Sequence, residues 1–240
     1  MLGHPSFEPG GTVTETVITV QGRFSAFYPA ERATVEVSVH REASKRQPAF
    51  AGTVAASDTV RESIVALHDH SAGPVTWWSS DSIQVWTEKP WNNEGKQLPP
   101  VFHARIGFTV KFSDFDALAQ WIEAVSATDS VSIGQVTWAL TEARTTGVTA
   151  EVRSRAVKDA DAKASVYAQS IGLGSVHAVA IADPGMLGDQ VHGGGGGPEA
   201  AFMRVAKIGG GNGGGSEPAL SLKPEDIEVS AVVDARFIAS

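Results

Sequence analysis

No cysteine occurs among the 240 residues. Disulfides, thiol catalysis and thiolate metal sites are therefore excluded together, although a cysteine-free chain suits reducing and oxidising compartments alike. Basic charge is also scarce: 19 Lys and Arg against 27 Asp and Glu leave a formal charge of -8, and no local Lys/Arg cluster offsets it. Nucleic acid and anionic membrane surfaces are accordingly poor partners. No apolar run reaches the roughly 20 residues of a spanning helix, so membrane insertion is not expected. The opening "MLGHPSFEPGG" has no basic n-region, no apolar h-region and no small-residue cleavage site. It reads as a flexible N-terminus over residues 1–12 and predicts a cytoplasmic location.

Catalytic signatures are equally sparse. No serine sits in G-x-S-x-G, and no histidine is tied to one by sequence. The glycine tracts at 193–197 and 209–215 lack the Lys-Ser/Thr and the strand-to-helix setting of a phosphate loop. "IGLG" closes a helix where a dinucleotide fingerprint would open one. The pairs Asp114/Asp116 and Asp159/Asp161 stand at i,i+2 and diverge on a helix, so they read as solvated faces and not as an acid/base dyad. No catalytic residue and no cofactor is assigned from the sequence.

Hydrophobic residues make up 42% of the chain, enough for a core. Alternation marks the first strands, with Val13, Thr16, Ile18 and Val20 among polar residues in one and Val35, Val37 and Val39 on one face of the next. Between Lys45 and His70 the spacing of Phe50, Val54, Ser57, Val60, Ile64 and Leu67 changes to that of an amphipathic helix. "VTWWSSDSIQVWTE" and "PVFHARIGFTVKF" then read as two long antiparallel strands joined by the loop "KPWNNEGKQLP". A helix opens at Ser113 as N-cap with Asp116 three residues on, burying Phe115, Leu118, Ala119, Ile122 and Val125.

"SVSIGQVTWALTEA" is a further strand. A helix from about Thr149 to Ile171 carries Val152, Ala156, Ala160, Ala164 and Ala168 in one stripe, with Tyr167 and Ile171 beside it, and Gly172 and Gly174 as its stop. Side chains this small permit close approach to a sheet. "SVHAVAIAD" and "EDIEVSAVVDARFIA" supply the last strands, the latter alternating through Ile227, Val229, Ala231, Val233, Ala235 and Phe237. Between them a glycine-rich insertion, 185–223, reads as linker around the apolar island "AAFMRVAKI".

The predicted class is α+β, with mixed, mostly antiparallel sheets packed with helices in two βαββ-like units. The first covers 32–112, a connecting helix 113–128, and the second 131–240, all within a single domain over 13–240. The repeat lies in element order alone.

"VITVQGRFSAFYPAERATVEVSV", "FHARIGFTVKFSDFDALAQWIEAV", "AVKDADAKASVYAQSIGLGSVHAV" and "LSLKPEDIEVSAVVDARFI" follow one another across Val17 to Ile238. In this order they resemble the SIMPL domain family, named for a kinase-interacting protein and common among bacterial envelope proteins. The resemblance implies a mixed α/β fold, homo-oligomers that form rings or channels in some relatives, and an association with stress tolerance. It implies no catalytic residues. Three features depart from the family pattern: there is no export signal, Val101-Phe102 stands where relatives tend to have Gly-Tyr, and Pro224-Glu225 replaces Pro-Gly.

Two groups of side chains stand out as candidate sites. His68 and His70 in "LHDHS" are candidates for a surface metal site, against which stands the reading of a solvated helix end. Trp77, Trp78, Trp86 and Trp91 fall within fifteen residues, with Phe102 and His103 on the facing strand. Adjacent Trp77 and Trp78 must point to opposite faces, so one of them meets a second layer, a partner or a ligand. The favoured reading is a non-catalytic protein acting through homo-oligomerisation or protein contact. The alternative is a small-molecule binder, or a hydrolase without signature, with an aromatic pocket near Trp78, Trp91 and His103.

Overall fold

A computed structural model of the chain describes residues 15–187 and 220–240. Val13, the N-terminal segment, the apolar island and all but the ends of the glycine-rich insertion lie outside them. The elements run β1 (Thr16–Tyr28), β2 (Arg32–Ala43), α1 (Arg46–Leu67), β3 (Val75–Ser80), β4 (Gln84–Glu88), β5 (Val101–Phe112), α2 (Phe115–Ser126), β6 (Val131–Ala139), α3 (Glu142–Ser170), β7 (Val176–Ala182) and β8 (Ile227–Ala239). This is the expected α+β class. The described residues divide into two compact units, one of 28–141 with 220–227 and the other of the remainder.

The larger unit holds a sheet in the order β3-β5-β2-β6, with β4 also paired to β5. Val35, Val37 and Val39 of β2 alternate inward as expected, opposite Val110 and Phe108 of antiparallel β5. α1 and α2 cover this face, and Trp121 of α2 donates through Nε1 to Ser63 Oγ of α1 at 2.9 Å. The helix α1 buries Ser57, Val60 and Ile64 as expected, but in its first half Ala49, Thr53 and Ala56 turn inward in place of Phe50, which is exposed, and Val54, which is half-buried. Close approach explains the exchange, because Thr53 Oγ1 reaches Ala104 O on β5 at 3.1 Å, a distance that bulk on this stripe would forbid.

Asp114, and not Ser113, caps α2. Its carboxylate accepts from the backbone N–H groups of Asp116 and Ala117. Ser113 is engaged elsewhere, its hydroxyl donating to Gly73 O and its N–H to Pro74 O, which ties the end of β5 to the start of β3. The tryptophan-rich strand is broken at Asp81, whose N–H donates to Gly107 O at 2.9 Å. Gly107 makes room for the break, since a Cβ there would lie 2.5 Å from Asp81 Oδ2. β6, read from chain order as the first strand of a second unit, pairs instead with β2 in the first sheet.

In the smaller unit β8 lies between β1 and β7. Every second residue of β8 from Ile227 to Ala239 is buried, as alternation predicts. α3 begins earlier than expected, at Glu142, and buries Val148, Val152, Ala156, Ala160, Ala164 and Ala168. The alanine stripe meets Gly22 of β1, where a Cβ would stand 2.0 Å from Ala156 O and 2.8 Å from Ala160 Cβ. Tyr167 and Ile171 lie outside the stripe and are exposed. Gly172, at φ +82°, ends the helix in a Schellman motif: Leu173 N–H donates to Ala168 O and Gly172 N–H to Gln169 O.

One polar clasp also joins β1 to α3. Asp159 Oδ2 accepts from Lys163 Nζ at 2.6 Å and from Arg23 N at 2.8 Å, and Lys163 Nζ donates to Gln21 O at 3.0 Å. The Lys163 ammonium first, and the Arg23 N–H after it, hold the Asp159 carboxyl below its ordinary range. A carboxyl depressed in the folded state stabilises the fold above its unfolded pKa, and that stability is lost as pH falls through the folded value. Asp159→Asn is therefore expected to cost about 0.5 kcal/mol at pH 7, allowing for solvent screening of this partly exposed pair. The difference from wild type should shrink as the pH falls toward about 2, below the usual carboxylate range. Urea titrations at both pH values check this, and an equal cost at both would refute it.

Candidate interaction surfaces

The face of the larger sheet turned away from α1 is polar and aromatic. Alternation places Thr34, Glu36, Ser38, His40 and Glu42 of β2 on it, together with His103, Arg105, Gly107, Thr109 and Lys111 of β5. Trp77 of β3 lies on this face in register with Lys111, whose ammonium sits 5.7 Å from its ring centroid. Trp78 registers with buried Val110 on the opposite face. The two neighbours diverge as their adjacency requires.

At the other end of β5, Glu42, His103 and Trp86 lie abreast on β2, β5 and β4. His103 is only 7% exposed, enclosed by Trp86 with ring centroids at 5.1 Å and by His40 at 5.3 Å. His40 Nε2 and His103 Nδ1 approach to 3.2 Å, with the two rings within 11° of parallel. Centroids so far apart with nitrogens so close place the imidazoles edge to edge, joined by a hydrogen bond in nearly one plane.

The remaining nitrogen fixes the tautomer. His103 Nε2 is buried with no hydrogen-bond partner, and the nearest charged group is Glu88 Oε2 at 3.5 Å. A bare lone pair aimed at a carboxylate would be repelled, so the proton belongs on Nε2. His103 Nδ1 is then the acceptor and His40 Nε2–H the donor. Glu42 Oε2 stands 3.7 Å from the same Nδ1. His103 and Trp86 were among the residues singled out from the sequence. His40, Glu42 and Glu88 were not, because only the register of three strands brings them together.

The other sequence candidates are dispersed. Trp91 lies in the β4–β5 loop at 65% exposure, bridged to Gln97. Phe102 is half-buried and lies in register with Thr87 and Ala43. Trp78 and His103 occupy opposite faces of the sheet, and the seven residues from His103 to Val110 set them about 23 Å apart along β5. His68 and His70 are exposed at the end of α1. Asp69 between them accepts from Ser71 N, Ser71 Oγ and Ala72 N, and these bonds, led by the Ser71 N–H, lower its pKa. Among the described residues no group of three or more His, Asp or Glu side chains is placed to hold a metal ion.

In the smaller unit, β7 is an edge strand. Its sequence, Val-His-Ala-Val-Ala-Ile-Ala, contains no lysine, carboxylate or proline, and among the described residues only β8 pairs with it. Val179 and Ile181 are 52% and 51% exposed, and α3 exposes Val166, Tyr167 and Ile171. Edge strands of soluble proteins are ordinarily blunted by charge or proline. β7 carries only a bulge between Ala178 and Ala180.

A family model described as SIMPL, protein of unknown function (DUF541), matches residues 18–237. The chain belongs to the SIMPL family. The match takes in both compact units, from Ile18 of β1 to Phe237 of β8, and so includes the ring cluster and the open edge. No curated protein matches the chain. No helix of the described residues is long and apolar enough to cross a membrane.

Proposed function

We propose that this SIMPL-family chain is a non-catalytic interaction protein that self-associates by adding the β7 strand of one copy to that of another. The observation that carries the reading is the uncharged, apolar edge of β7, whose backbone groups on the side away from β8 have no strand partner among the described residues and so are a template for a further strand. Homo-oligomers of some relatives, which the family resemblance implies, support it. The reading includes the cytoplasmic location expected from the sequence, which cell fractionation checks.

The experiment is native mass spectrometry of untagged protein over a range of concentrations, beside the double variant Val179→Lys, Ile181→Lys. Wild type should give a multiple of the 25.1 kDa subunit. The variant should be monomeric yet folded, because both side chains are solvent-facing and two lysines on the edge repel a second copy. A wild-type monomer at every concentration, or a variant that assembles normally, sinks the proposal.

A further inference from the structure

The His40–His103 contact has an arithmetic of protons that no other pair among the described residues shares. As assigned above, two neutral rings hold one proton in the contact, on His40 Nε2, and one on His103 Nε2 toward Glu88. A first added proton leaves one N–H facing one lone pair, whichever ring carries it, and makes the donor cationic, which strengthens the bond. The second places a proton on both facing nitrogens. Two N–H groups then face each other at 3.2 Å, and the hydrogen bond becomes a repulsion between like charges.

We propose that this pair is a proton-operated latch. Singly protonated or neutral, it clasps β2 to β5 and packs against Trp86; doubly protonated, it opens, His40 swings away, and Trp86 and β4 loosen. The proposal does not rest on the self-association reading, which concerns the other unit.

Glu42 on β2 and Glu88 on β4 flank the two edges of His103 and favour an imidazolium there. Arg105 on β5, opposite His40 in register, opposes each added proton. Beyond the end of β6, Ser130 O accepts the His40 backbone N–H, and Asp129 beside it is exposed. Arg41 is turned to the far face against Gly52 of α1. β4 is the element to respond, because β5 is its only strand partner among the described residues and Trp86 packs against both rings, 5.5 Å from His40 and 5.1 Å from His103.

The test is long-range proton–nitrogen NMR of the imidazoles in the full chain from about pH 8 to about pH 4.5, with the Trp86 indole and the amide exchange of Val85 and Thr87 followed in parallel. At the start both rings should be Nε2–H tautomers. As the second of the two rings protonates on acidification, the Trp86 indole signal should shift and the β4 amides should exchange about tenfold faster relative to those of β2. In His40→Phe, which keeps a ring but no facing nitrogen, His103 should protonate without moving Trp86. The latch is overturned if His103 carries its neutral-state proton on Nδ1, if it stays neutral throughout, or if Trp86 and β4 respond identically in the variant. The wild-type titration decides even if the variant does not fold.

Discussion

Gly22→Ala is expected to destabilise the smaller unit by about 3 kcal/mol or more, a large effect for one methyl group. The new Cβ would lie 2.0 Å from Ala156 O and 2.8 Å from both Ala160 N and Ala160 Cβ. No side-chain rotation relieves a collision with helix backbone, so β1 must leave α3 or the helix must move. Either response opens the stripe that buries Ala156, Ala160 and Ala164. The natural control is Gly147→Ala in the same helix, where a Cβ meets nothing within 4 Å. That substitution should stabilise by about 0.5–1 kcal/mol, because it removes the entropic cost of a helical glycine. Urea titration of both variants measures the contrast, and a Gly22→Ala cost below about 1 kcal/mol would show that close packing on α3 is not what this glycine serves.

Phe112→Ala should be comparably damaging in the larger unit, at about 3–5 kcal/mol. Phe112 is fully buried at the end of β5, in register with Ala33 of β2 and Val75 of β3. Its ring lies 5.4 Å from that of Trp121, which in turn donates to Ser63 of α1. Removing the ring leaves a cavity beneath α2 and frees Trp121 to move, so a loss of stability should come with a red shift of Trp121 emission. Thermal melts and fluorescence of a form keeping Trp121 as its reporter would show it. A loss under about 1.5 kcal/mol with unchanged emission would mean that the helices close over the gap.

Much of the fold was legible where one physical signal acted alone. β8 needed only period-two alternation, and β2 likewise, because one face of each is buried and one is not. The reach of α3 over the sheet was legible in its alanines, and its end in Gly172, whose left-handed φ few other residues tolerate. Where two signals competed, local reading went astray. α1 was expected to bury its bulky residues, yet the requirement of close approach to β5 selected Ala49 and Thr53 over Phe50. Ser113 and Asp114 are both good caps, and the contact of Ser113 with Gly73 and Pro74 decided between them.

The candidate surfaces divide in the same way. Composition and pattern alone determined the α+β class, most of the strands, the alanine stripe of α3, the lack of thiol chemistry and the family. Tertiary structure decided which strands are neighbours: that β6 joins β2, that β7 is left at an edge, and that His40, Trp86, Glu42 and Glu88 gather around His103. The reason is physical. Alternation and helical period arise from each segment meeting water on one side and apolar matter on the other, and every segment records them locally. Strand order and register are set by the whole chain closing around its cores, so no single segment carries them.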